Sequence, residues 1–159
     1  MTPRTRVAAA LVASCLGLNS FDAGAEVEKV HLARLTAAAF TCGMWASMKG
    51  DKPRMKTLYE DGIRAGRDFL KAFRDNKVTQ EDLNKHAPMA VLFLLEGPSD
   101  DFIVGRIFEA ATNDAFDRIV KQDKNGVTVH ASEWTHDDEL KATLAQTRYQ
   151  NANCDHVRY

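Results

Sequence analysis

Four residues near position 100 carry side chains that can do chemistry together: Ser99, Asp100, Asp101 and Arg106, with Glu109 one turn further on. Neighbouring carboxylates beside a guanidinium suit general acid–base work, in which one acid holds a proton, another stays ionised and a cation steadies the developing charge. The same residues also have a purely structural use. A serine followed by two acids is an ordinary helix start, because the hydroxyl caps a free N–H and carboxylates complement the positive end of the helix dipole. We therefore expect Ser99, Asp100, Asp101 and Arg106 to be binding residues and assign no catalytic residue.

The other chemically capable residues are dispersed. His31, His86, His130, His136 and His156 form no H-x-x-x-H pair, and a metal site would need His130, His136, Cys154 and His156 to converge from separate segments. Ser47 and Ser99 lack the strand-to-helix context of a nucleophile elbow, and no glycine-rich phosphate loop occurs. Neither a metal nor a cofactor is expected.

The N-terminus carries an export signature. Met1 to Arg6 holds two arginines and no acid, Val7 to Leu18 is uncharged, and Ala23-Gly24-Ala25 places small residues where a signal peptidase reads them. This predicts a signal peptide over 1–25, a cut before Glu26 and a single domain over 26–159. Val12-Ala13-Ser14-Cys15 offers a second route, with a lipid anchor at Cys15. Either route leads to the bacterial periplasm or beyond. The apolar run is shorter than the roughly 20 residues needed to span a bilayer, so no membrane span is expected.

Cleavage after Ala25 leaves two cysteines, Cys42 and Cys154, an even pair in an oxidising compartment. One intramolecular disulfide is the simplest outcome; free thiols, a bridge between molecules or a metal-binding Cys154 with His156 are the alternatives. A net charge of −1 shows no basic excess, which argues against nucleic acid as a partner.

Apolar residues at helical spacing run through most of 26–159, predicting an all-α bundle of about five helices. The first spans about Val27 to Met48 and ends at Gly50. The second, about Arg54 to Arg74, has the clearest stripe, from Met55 through Leu58, Tyr59, Ile63, Phe69 and Phe73, and its charged face is expected to be laced by pairs such as Glu60 with Arg64. Gly62 and Gly66 lie on the apolar side, where a glycine pair forms a notch for another helix. Thr79 opens a third helix that Pro88 interrupts, and Met89 to Leu95, apolar on every side, is expected in the central core. Ser99 opens the fourth, to about Val120, with Gly105 expected against the notch. After a turn at Asn125-Gly126 and a short extended Val127 to His130, a last helix starts near Thr135 with Leu140 and Leu144 inward.

Small size, a disulfide, near-neutral charge and dispersed chemistry suggest a periplasmic protein that binds or neutralises a protein partner: an inhibitor, an immunity-type factor or an envelope accessory factor, without catalytic activity. Loop Gly97 to Asp101 and turn Gln122 to Gly126 are its expected contact points. The competing reading is a small-ligand carrier or hydrolase with a pocket between helices near Gly62 and Gly66 or near Asp100 and Arg106.

Overall fold

The computed structural model describes residues 23–123 and 125–159, with side chains from residue 29 onward. The predicted signal peptide and the lipidation site at Cys15 fall largely outside these residues. Among the described residues six α-helices follow one another: α1 (Ala23–Met48), α2 (Lys52–Arg74), α3 (Gln80–His86), α4 (Met89–Leu92), α5 (Asp100–Val120) and α6 (Asp138–Asn151). Single 3-10 turns lie at Ala131–Glu133 and Cys154–His156. No β-strand occurs among the described residues, and the extended Val127 to His130 stretch contributes only an isolated bridge between Thr128 and Gln122. The count exceeds five because Pro88 divides the third predicted helix into α3 and α4.

Local chemistry explains most helix starts. The Asp51 carboxylate accepts the Arg54 N–H at 3.1 Å, and Pro53 fits the first turn of α2, where its missing N–H costs nothing. Thr79 caps α3 and Ser99 caps α5, accepting the N–H groups of Asp82 and Phe102. Asp137, not Thr135, caps α6 through the Leu140 N–H. α1 ends at Met48, and the turn that follows it passes through Gly50, whose φ of +89° suits glycine and strains other residues.

α1 is the central element, packed against α2, α3, α5 and α6. Its inward residues serve two adjoining cores. One gathers Val30, Ala33 and Phe40 with Phe69, Leu70, Leu83, Val91, Ile103 and Ile107. The other surrounds the Cys42–Cys154 disulfide, whose α carbons are 5.6 Å apart, and includes Trp45, Leu58, Ile119, Ala145 and Tyr149. Trp45 keeps its indole N–H satisfied inside this core by donating to the Ala115 carbonyl at 3.1 Å.

The glycine notch is tight. A β carbon on Gly62 would come within 2.5 Å of the Phe40 ring, and one on Gly66 would meet Val104 at 3.0 Å and Thr36 at 3.2 Å. α2 thus closes on α1 and α5 only because these two side chains are absent.

Three packing expectations fail. In the Met89 to Leu95 run only Val91 is buried, while Met89 is 61% and Phe93 74% exposed. α4 is one turn at the rim of the bundle, too short to be surrounded. Leu140 and Leu144 face outward, and α6 seats itself through Ala145 and Tyr149, a register dictated by the disulfide beyond its end. Gly105 is exposed, and a β carbon there would meet nothing within 4 Å, so it does not fill the notch.

Candidate functional site

The residues expected to bind are held at the start of α5 but turn in different directions. Ser99 is committed to its cap. Asp100 and Asp101 pair across to α2, accepting from Arg74 and from Arg67, the latter at 2.8 Å. Arg106 turns away, donating to the Glu96 carbonyl at 2.9 Å and lying 5.9 Å from the Phe102 ring centre. The Asp101 side chain is 70% exposed. These acids therefore sit in water-accessible ion pairs, and the arrangement clamps α2, α5 and the preceding loop to one another. Hydrogen bonding to Asp101 raises the Arg67 pKa further above its already high value.

A shallow cavity of about 430 Å³ lies over this end, bounded by Arg67, Lys71, Arg74, Asp75, Ser99 and Asp100 among others. Its walls carry both signs of charge, already paired. Asp75 takes hydrogen bonds from Lys77 and Lys71, which hold its carboxyl below the usual value. The charged face of α2 is thus laced differently from the expected Glu60 to Arg64 pair: Glu60 pairs with Lys56 at 3.9 Å, and Arg64 pairs with the buried Asp61.

The histidines remain apart, and no group of three potential metal ligands occurs among the described residues. His130 is occupied in capping the 3-10 turn at Ser132. At the C-terminus Cys154 is in the disulfide, and Arg54 gathers the chain around it, donating to the carbonyls of Cys154 at 2.9 Å and Val157 at 2.8 Å and to the Tyr149 hydroxyl at 3.2 Å. That hydroxyl donates onward to Asp155 at 3.0 Å. In the sequence Arg54 marks only a helix start; its partners lie about a hundred residues away, and no local pattern reveals them.

Two apolar surfaces flank α5. On one side, about 390 Å³ of open space lies between α1, α4 and α5, floored by Ala37, Val91, Leu94, Ile107 and Ala111, with Asp114 and Arg118 at its end. Ala90, Val91 and Leu94 form its α4 wall, and the exposed Met89 and Phe93 are not among the lining residues. On the other side, about 500 Å³ lies between α2 and α5, lined by Phe40, Tyr59, Ile63, Val104, Gly105 and Phe108 and closed at one end by the Arg67–Asp101 pair. Phe40, Tyr59 and Phe108 form an edge-to-face triad with ring centres 5.0 to 6.4 Å apart, which fixes the groove floor. Partial burial raises the Tyr59 pKa, so its hydroxyl stays neutral at ordinary pH. Gly105 sits in mid-helix, where glycine costs about 1 kcal/mol relative to alanine, with no neighbour inside the chain that requires it. Comparison of the chain with family models, with curated proteins and with solved structures finds no match.

Proposed function

We propose that this protein is an exported factor of the bacterial envelope that binds a protein partner through the α4 face and acts without catalysing a reaction. The observation that carries this reading is Phe93, a phenylalanine 74% exposed at the C-terminal cap of α4, a short helix in contact with α5, with Met89 at 61% one turn before it. Large apolar side chains held in water by a rigid scaffold have an obvious use in a protein interface, where aromatic residues and methionine are enriched. The adjoining loop supports the same reading. Arg106 ties it at Glu96, Ser99 anchors its end, and Phe102 packs over Gly97, so Glu96 to Ser99 presents a preformed surface. The ionisable groups at the α5 start are already paired to one another, which favours a positioning role over an acid–base one. Inhibitor, immunity-type and accessory factors all fit this description. The N-terminal signature supports the periplasm as the place of action, where the Cys42–Cys154 bond would persist.

The test compares the protein with its Met89→Glu/Phe93→Glu double variant, each immobilised and exposed to periplasmic extract of the source cell. The wild type should retain one protein in stoichiometric amount and the variant should not, with both showing the same helical circular dichroism. Retention by both alike, or by neither, would refute the reading.

A further inference from the structure

We infer that Met89 is an oxidation site that regulates the α4 face: hydrogen peroxide converts its thioether to the sulfoxide and so removes the apolar surface on which a partner docks. The inference rests on the binding role proposed for that face and adds its control.

The first observation is the contrast among the methionines. Oxidation of a thioether follows the access that an oxidant has to it. Met44, Met48 and Met55 are only partly exposed and pack against the core around the Cys42–Cys154 disulfide. Met44 is further engaged, because its sulfur accepts the Tyr59 hydroxyl at 4.0 Å. Met89, the first residue of α4, is 61% exposed. Among the described residues it is therefore the methionine that a dissolved oxidant meets first.

The second observation is where Met89 stands. The Phe93 N–H donates to the Met89 carbonyl at 3.2 Å, closing one helical turn, so the two exposed side chains lie one above the other on the same side. A sulfoxide at Met89 sets a polar, chiral group beside the Phe93 ring, in the middle of what had been an apolar patch. The fold has no stake in the change. α4 is held down by Val91, which is 1% exposed, and its start depends on no side-chain cap. The same reaction at Met44, Met48 or Met55 would instead bring a polar oxygen to the core, where it costs stability.

The step balances without any group from the protein beyond the sulfur. A sulfur lone pair attacks one peroxide oxygen and forms the S–O bond as the O–O bond breaks. The hydroxide that leaves takes the proton from the new S–OH group and departs as water. Sulfur loses two electrons and the peroxide gains them. A methionine sulfoxide reductase, fed by a dithiol, reverses the reaction.

The test treats the purified protein with graded hydrogen peroxide and follows each methionine by peptide mass spectrometry. Met89 should gain one oxygen about tenfold or more faster than Met44, Met48 and Met55. Protein oxidised at Met89 alone should leave a phenyl column earlier than untreated protein, with the same helical circular dichroism, and should retain the periplasmic partner at least about tenfold more weakly. Met89→Leu, compared only with its own untreated sample, should show no change in elution or retention after the same exposure. Equal oxidation rates at all four methionines, an unshifted elution, or a partner held equally by oxidised and untreated protein overturns the inference. If untreated protein retains no partner, the binding role proposed for α4 fails, while oxidation order and column elution still decide whether Met89 is the site.

Discussion

At the scale of single residues, the glycines of this protein separate by what stands in front of them. Gly62 faces the Phe40 ring and Gly66 faces Val104 and Thr36, so a methyl group at either has to displace packed neighbours. Gly105 faces open space. Urea denaturation should show opposite signs: Gly62→Ala destabilises by about 1 to 3 kcal/mol through overpacking, and Gly105→Ala stabilises by up to about 1 kcal/mol through helix propensity. Equal signs would mean that the α1–α2 contact is looser than the ring distance implies. All three glycines stand out in the sequence as helix-interior residues, and the apolar stripe of α2 marks Gly62 and Gly66 as a notch, but no local pattern reveals that the space above Gly105 is left open.

At the scale of elements, helix boundaries follow from local hydrogen bonding, and the turn after α5 shows this most clearly. The Asp123 carboxylate accepts the N–H groups of Val127 at 2.9 Å and Asn125 at 2.8 Å, closing the turn at Gly126. The bond from Val127 is the main cause that lowers the Asp123 pKa beneath its usual 3.8, and Lys77 with Lys71 lowers Asp75 in the same direction. Folding lowers both values, so their contribution to stability is present above pH 3.8 and lost as the pH falls through the lower folded values. Thermal melts through the acid range should therefore show a smaller decline for Asp123→Asn than for the wild type. An identical decline would remove Asp123 from the acid response. α4 illustrates the opposite case: its residues are apolar enough for a core, but a single turn between Pro88 and Phe93 has no second layer to cover it.

At the scale of the whole molecule, one long-range bond organises the C-terminal third. The disulfide joins residues 112 apart, and Arg54 repeats its effect with hydrogen bonds to the same turn. A closure of that length destabilises the unfolded chain by roughly 4 to 5 kcal/mol in the chain-entropy account. Replacing both cysteines by serine should remove about that much from the unfolding free energy in urea, a large share of the 5 to 15 kcal/mol typical of small domains. A loss under about 1 kcal/mol would mean that Arg54 and the Tyr149 packing hold the tail unaided. Neighbouring the disulfide, Tyr149 is 1% exposed, whereas Leu144 on the same helix is 37% exposed.

The amino-acid sequence by itself determined the features that depend on nearby residues: helical character through most of the chain, the caps at Thr79 and Ser99 and the break at Pro88; it also made Cys42 with Cys154 the simplest pairing once Cys15 is set aside with the expected signal peptide. Periodicity marks which side of a helix is apolar, because that depends only on positions three and four apart. It does not say whether anything covers that side. Burial of Ala145 and Tyr149 in place of Leu140 and Leu144, exposure of Met89 and Phe93, and the empty space above Gly105 were decided by the tertiary structure alone. So were the Arg67–Asp101 and Arg54–Val157 contacts, since each joins segments whose separation in sequence carries no information about their distance in space.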